Sequence, residues 1–564
     1  MIRGRGMVYS LQISYLYPKT RAHMMTKAEK SACRAEIFRH LDGIAAAPTA
    51  YALHEKGVLG YLLQAGEATL DELAARFQAN EGYLNVALRV LSSQGWLGQQ
   101  LDNATDAVRY AATPDGQLAF PLVPLYADVV RLLKYSEQFH PRRFEKAPFL
   151  VLKKIMGKYR QQYGLVWSEN QAERAVQEQV LKHIEGILVG PTIVHLGMSG
   201  MFHKYFMEAS FRAEEFHKDP ESFREILDFL AYLGWFDAKG HTYRFTSKGL
   251  FFAQRAAAYG VTVSYIPTFR KLDELLFGDP KALFDVPPGA PEIHVDREMN
   301  VWGSGGAHAT YFKKVDEIII ELFNRPIDEQ PKGILDMGCG NGAFLKHLFE
   351  VVEQRTLRGE LLDDYPLFLV GADFNEAALR VARANLIQAD IWAKIVWGDI
   401  GRPELLAKDL REDYGIELQD LLNVRTFLDH NRIWSPPAQP DPVRVSASTG
   451  AFAYRGQRIS NNLAEDSLLE HLRKWAPYVS KFGLLTIELH TIAPHLAAAN
   501  LGQTAATAYD ATHGFSDQYI LEAEVFRRIA AEAGLPPDPR FSAKFPDSEL
   551  ATVSINLLRG PVAV

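Results

Sequence analysis

The sequence predicts a C-terminal doubly wound α/β domain behind a mainly helical region with two winged-helix-like modules. Three observations support this. A short apolar run ends in Asp336, glycines follow at alternate positions (Gly338, Gly340, Gly342), and a helical apolar pattern begins at Ala343. Two more apolar runs end in acids, at Asp373 and Asp399. Upstream, two segments repeat one order of helix, Gly-Trp and polar ribbon.

At 564 residues the chain should hold several domains, since single cores stop growing near about 250–300 residues. A hydrophobic fraction of 47% is globular, and a net charge of −7 gives no reason to expect nucleic acid or an acidic membrane as partner. The two cysteines, Cys33 and Cys339, cannot make a disulfide framework or a cysteine metal site. Cys339 reads as a small residue fitting the glycine turn. No run approaches the roughly 20 apolar residues of a membrane helix. Residues 1–30 carry Arg3, Arg5, Lys19 and Arg21 but no apolar signal core, so they read as a disordered extension rather than a signal peptide. A cytoplasmic protein is expected.

The first module, 31–125, contains LNVALRVLSSQGWL ending in Gly95-Trp96-Leu97, with a ribbon bearing Tyr110 and Thr113 to Gly116. The second, 191–283, contains FREILDFLAYLGWF ending in Gly234-Trp235-Phe236, with Tyr243, Phe245 and Ser247 to Gly249. Helix, apolar helix, then wing is a winged-helix order. Reading DNA needs a basic second helix. Between Asn80 and Gln94 there is only Arg89, and Glu221, Glu225 and Asp228 surround Arg224. A scaffold or dimerisation role follows, without nucleic acid and compatible with a homodimer. Residues 126–190 read as a helical connector whose Phe139, Phe144 and Phe149 are core. Residues 284–309 read as a Pro/Gly linker plus a Gly-rich segment, and 310–564 as the catalytic domain.

The glycines allow left-handed backbone and close approach to a ligand, and the following helix offers its N-terminal N–H groups. The spacing is neither G-x-G-x-x-G nor a P-loop. D-x-G-x-G-x-G after a strand resembles motif I of class I S-adenosylmethionine (SAM) methyltransferases, which implies a seven-stranded sheet. On that reading Asp336, Gly338, Gly340, Asn341 and Gly342 hold SAM. Asp373, with Phe374 beside it, accepts the ribose hydroxyls. Asp399 contacts the adenine amino group and Ile400 packs on the ring.

Strand four should end near Arg425, and the loop Thr426 to Arg432 should line the acceptor site. Asp429 and His430 sit there side by side. His430 is read either as a general base or as a metal ligand, since imidazole with carboxylate suits Mn or Fe(II). Further candidates follow: Glu488 and His490 at the end of strand five, then His513, Asp517 and Gln518. His308 and Tyr311 either face the substrate or simply start a helix. Arg425 is a third candidate substrate contact.

The blocks VWGSGGAH, ILDMGCGNG, NVRTFLDHNR and YDATHGFSDQY together resemble the C-methyltransferases of polyketide (GNAT-type) loading modules, such as those of apratoxin synthetase. The resemblance runs from about residue 190 to the C-terminus and more loosely over the first module. It implies mononuclear Fe(II) or Mn(II) held by His430 and His513, with Asp429 or Gln518 completing the set. It also implies methylation of an enolisable carbon alpha to a carbonyl, on an acyl carrier protein or a small-molecule acyl substrate. Small-molecule O-methyltransferases share the domain plan, so a metal-free O-methyltransferase with histidine as base stands as the alternative. A SAM- or DNA-binding regulator is a third.

Overall fold

The computed structural model describes residues 25–136, 146–203, 207–287, 290 and 292–560, without the side chains of 306–310. Phe139, Phe144 and the basic residues before residue 25 lie outside the described residues. Helix α1 (Lys27–Glu55) begins inside the stretch read as an extension. Its start is fixed by a capping box: the Glu29 N–H donates to the Thr26 hydroxyl (3.2 Å) and the Thr26 N–H to the Glu29 carboxylate (2.7 Å).

Both repeats fold as helix and wing. In the first, α2 (Glu81–Ser93) leads into strands Leu97–Asp102 and Ala107–Ala112, with Glu67–Thr69 at the edge. The long helix α3 (Gln171–Met198) precedes the second copy, where α4 (Pro220–Tyr232) leads into Phe236–Lys239 and Thr242–Phe245, edged by Phe211–Arg212. The copies agree in detail. Gly95 and Gly234 follow the helices at φ +80° and +82°. The Thr113 and Thr246 hydroxyls donate to the Gly95 (2.6 Å) and Gly234 (2.7 Å) carbonyls and accept the Gly116 and Gly249 N–H groups, both at 3.0 Å.

The last glycine of each ribbon is set by a backbone crossing. A Cβ on Gly116 would stand 2.0 Å from the Trp96 carbonyl oxygen, and one on Gly249 2.0 Å from that of Trp235. Gly249→Ala is therefore expected to destabilise by about 1–3 kcal/mol, the usual range for forced overpacking. Gly157→Ala, in open space on the helix Lys146–Arg160, should instead stabilise by about 0.5–1 kcal/mol. Denaturant unfolding of the two variants checks the contrast.

Two readings from the sequence change. The Gly-rich block placed in a linker is part of one helix, α5 (Arg297–Phe323). Its Gly303 lies against Gly260, where a Cβ would meet Gly260 Cα at 2.6 Å, so the glycine serves a close helix crossing. Second, one described stretch, Pro114–Leu133, is long and apolar enough to cross a membrane by length and composition. Pro121 and Pro124 break it into short helical pieces that pack on α1 and α3, so it serves as core.

The C-terminal region runs β1 (Gly333–Met337), α6 (Ala343–Arg355), β2 (Phe368–Asp373), β3 (Ala393–Trp397), β4 (Leu421–Thr426), α7 (Asn461–Val479), β5 (Leu484–Leu489), α8 (Ala506–Gly514), β6 (Pro537–Phe545) and β7 (Val553–Leu558). The sheet order is β6-β7-β5-β4-β1-β2-β3. Strands β1 to β5 are parallel, and β7 runs antiparallel to both β5 and β6. This is the doubly wound seven-stranded fold the sequence predicts. Chain order reverses between β1 and β4, which opens a crevice at the carboxyl ends of the strands. Apolar clusters cover both sheet faces. The core of the helical half takes in Ala451, Ala453, Ala508 and Phe515 from the sheet domain, so the two halves share one interior.

That sharing removes the groove-reading option for the first module. Every α2 residue from Gly82 to Ser93 is buried, against α8 and the segments 452–459 and 494–499.

Candidate functional site

The loop after β1 takes left-handed backbone at Gly338 (φ +82°), Gly340 (+53°) and Gly342 (+79°). A Cβ on Gly340 would meet only open space, so its glycine answers to conformation and to whatever fills that space. The Gly340 N–H donates to Asp373 Oδ2 (2.9 Å) and the Asn375 N–H to Oδ1 (2.8 Å), which lays the carboxylate across the loop. Asn341 accepts the Ala343 N–H at 3.1 Å and is exposed. Asp399 is half-buried and accepts the Gly401 N–H at 2.8 Å. The Ile400 carbonyl accepts the Trp475 indole N–H at 2.7 Å, and Ile400 is half-buried against the apolar cluster that holds Trp475. Phe374 is 57% exposed, its ring 5.6 Å from that of Trp397. Two exposed aromatics at adjacent strand ends make a face for a flat ring, and Trp397 is the member the sequence reading missed.

Asp336 lies beneath this loop, buried, with Oδ2 unpartnered. Burial, and then the charge of Asp373, push its carboxyl up to about 8. A cation brought close to this carboxyl would favour its ionised form.

The second half of the site is built at the ends of β4, β5 and α8. The Glu488 carboxylate accepts the Asp429 N–H (2.9 Å) and the Leu489 N–H (2.7 Å), and it holds Nδ1 of His430. His513 has Nδ1 on the Tyr509 carbonyl (2.9 Å) and near the Thr512 hydroxyl (2.9 Å). A ring nitrogen facing a carbonyl must carry the proton, so this network assigns Nδ1–H and an unprotonated Nε2 to His513; the carboxylate of Glu488 likewise takes the Nδ1–H of His430. The two rings lie edge to face, centroids 5.0 Å apart. Burial, with His430 adding to it, lowers His513 to about 3, so it is a neutral donor. Gln518 donates its amide N–H to the Tyr265 hydroxyl (3.2 Å), leaving Oε1 free, and the Tyr265 ring stands 6.3 Å from that of His513. Phe427 and Asp517, flanking the two histidine segments, are non-glycine residues at φ +54° and +56°. Held strain of this kind clusters at functional sites.

Two predicted site residues are displaced from this centre. Asp429 turns away from His430 and binds Arg425 Nη1 (2.6 Å) and His471 Nε2 (3.0 Å). Arg425 is 1% exposed and lies over the Trp475 ring, so it is no substrate contact. The physical reason is local: residues 429–431 form a 3-10 turn that points neighbours to different sides. His490 is also spent, its ring nitrogens on the Leu521 carbonyl (3.0 Å) and the Ser554 hydroxyl (2.7 Å). Tyr311 packs edge-on against Phe427 and Phe545 beside the β4 loop. His308 falls within α5, its side chain outside the described residues. The reading missed the role of Glu488, whose signal was an acid closing an apolar strand. Among the described residues, the one His/Cys/Asp/Glu group with metal-like spacing is Glu36, His40 and Glu185 in the helical half. Lys182 and Lys248 already neutralise its carboxylates.

Family profiles match three parts of the chain: an AprA MT2-like domain over residues 292–556, an AprA winged helix domain over 185–279 and an AprA N-terminal domain over 33–99. No curated protein matches the sequence. Among solved structures, the chain is similar to the mitomycin 7-O-methyltransferase MmcR, at 13% identity and TM-score 0.40, covering 69% of this chain and 100% of that one. It is also similar to CalO1, a methyltransferase in calicheamicin biosynthesis, at 13% and 0.35 over 70% and 100%. A third is the DszA carbon methyltransferase, at 14% and 0.30 over 65% and 87%.

Proposed function

For a chain that belongs to the AprA-like SAM-dependent methyltransferases, we propose that the methyl acceptor is an enolisable carbon alpha to a carbonyl. The acceptor would be a malonyl- or oxoacyl-type unit of natural-product biosynthesis, presented by an acyl carrier protein or free. The observation that carries this is the pair of imidazoles, His430 and His513, each with Nδ1 tied back to an acceptor, their rings edge to face.

The donor set fits a divalent ion such as Fe(II) or Mn(II). Two imidazoles, one backed by a carboxylate as metal-binding histidines usually are, stand with the free Gln518 Oε1 near Tyr265; Asp429 is not available to it. When bound, such an ion supplies Lewis-acid stabilisation of the enolate. The chain's own groups would orient the acceptor: the Tyr265 ring stands 6.3 Å from that of His513 and Tyr311 packs on Phe427, while the glycine loop after β1 would hold the donor. An in-line approach of about 3–3.5 Å is what this arrangement has to deliver.

The His430–Glu488 dyad favours one second reading, a metal-free O-methyltransferase in which Nε2 takes a hydroxyl proton. Elemental analysis of freshly purified protein, and methyl transfer to malonyl- and 3-oxoacyl-carrier thioesters followed by mass, separate the two. Full activity in chelator would overturn the metal-assisted reading, and methyl gain only on oxygen would overturn C-methylation.

SAM affinity should depend on pH through Asp336. The donor's positive charge favours the ionised carboxyl, which the free protein resists up to about 8. Binding is expected to tighten as pH rises from about 6 to about 8, approaching tenfold per unit, and then to level. For the free protein the sign reverses: the raised carboxyl contributes stability that is present below its ordinary value of 3.8 and lost as pH rises through about 8. Calorimetric titration at several pH values checks this, and Asp336→Asn should flatten the curve.

A further inference from the structure

We infer that Arg89, on the helix that would read DNA in the first winged module, is a positioning residue for the acceptor site. The inference rests on the His430–His513 pair being that site. Helix α2 runs antiparallel along α8 and the turn beyond it. Descending α2 and ascending the other segment, Gln94 Nε2 donates to the Thr507 hydroxyl (2.9 Å) and Arg89 Nε to Asp510 Oδ2 (3.0 Å). Val86 then meets Gly514 so closely that a Cβ there would stand 2.7 Å from Val86 Cγ1. Last, the Tyr83 hydroxyl donates to Asp517 Oδ1 (2.7 Å). His513 lies inside this register, between Asp510 and Gly514. Contacts on both sides of it fix the rotation and the axial position of its turn.

Arg89 reaches further than its neighbours. Its Nη2 donates to the Thr491 hydroxyl (2.9 Å) and the Ile492 carbonyl (2.8 Å), and Nη1 to the Thr449 carbonyl. Thr491 follows the strand that carries Glu488, and its hydroxyl also donates to Asp510. One guanidinium from the N-terminal half therefore ties the strand end that fixes His430, through Glu488, to the helix that bears His513. Five N–H donors in a rigid fork suit this task, and a lysine cannot reproduce it. Arg89 and Asp510 are both buried, so the pair is held at fixed geometry rather than screened. The winged module is thereby a wall of the catalytic centre.

The test uses the full chain. For Arg89→Met and Arg89→Lys, kcat for methyl transfer to a malonyl thioester of pantetheine is expected to fall by about 100-fold, the usual scale for a misplacement near 1 Å. The SAM Kd should stay within about twofold, since no contact of Arg89 touches the glycine loop. In a His513→Gln background, Arg89→Met should add less than about threefold, since the ring it positions is gone. The nitrogen resonances of His430 and His513, read by NMR on histidine-labelled protein, should shift in both Arg89 variants. If Arg89→Met does not fold, Val86→Ala and Tyr83→Phe loosen the same register without stranding the Asp510 charge, and should shift the same resonances. A lowered melting temperature with unmoved imidazole resonances would overturn the inference, as would unchanged kcat where His513→Gln is impaired. If His513→Gln itself transfers methyl normally, the proposed acceptor site fails, while the resonances still report on whether Arg89 positions the rings.

Discussion

His430→Ala is expected to lower methyl transfer by about 10²–10⁴-fold, the range for loss of a positioned proton-transfer group, with SAM affinity unchanged. Glu488 is immobile: two backbone N–H groups hold its oxygens, and it holds His430 Nδ1. The ring is thus fixed with Nε2 turned toward the site. SAM binding should be spared because the glycine loop is anchored by Asp373, with no hydrogen bond to His430. Comparison with His513→Ala sharpens the result. Losses of similar size in both variants mean the two Nε2 atoms share a partner, as a bound ion requires. A loss confined to His430→Ala means a lone base. Glu488→Gln keeps a hydrogen bond to Nδ1 but removes the charge, so it should fall between. Single-turnover rates give all three, and a His430→Ala rate above about one tenth of normal excludes both roles.

The glycine loop and the strand ends beside it were legible because their signals are local. Asp336, Asp373 and Asp399 each close an apolar run, and the glycines Gly338, Gly340 and Gly342 sit where positive φ is needed. The winged modules were legible for the same reason, since Gly95-Trp96 and Gly234-Trp235 mark a helix end and the wing that follows. What failed depended on distant partners. Asp429 and His430 are neighbours in sequence, but a 3-10 turn sends one to Arg425 and the other to Glu488. Arg89 looked like one weak basic residue on a helix, yet its anion, Asp510, lies in the other half of the chain. Gly303 read as part of a linker and Gly-rich segment because its reason, the close approach of Gly260, lies in another helix.

The Arg425–Asp429 pair should reveal itself as stability rather than as substrate affinity. Burial alone would raise the Asp429 carboxyl, but the Arg425 guanidinium, with His471, outweighs it and holds the group well below the ordinary value. Arg425 is itself buried and stacked 3.9 Å over Trp475. Arg425→Met therefore leaves an ionised carboxylate in a dry interior and is expected to cost about 3–5 kcal/mol. The sign with pH follows from the same groups. In the unaltered protein the depressed carboxyl contributes stability above its ordinary value of 3.8, lost as pH falls. Without Arg425, burial dominates, the carboxyl rises, and stability is instead lost as pH rises. The deficit of Arg425→Met should thus be larger near pH 8 than near pH 5. Adding Asp429→Asn should recover much of it, because the stranded charge is gone. Denaturant unfolding at the two pH values measures both effects. A deficit independent of pH, or a loss of acceptor affinity without loss of stability, would return Arg425 to the substrate and remove the ion pair from the account of how the β4 loop is held.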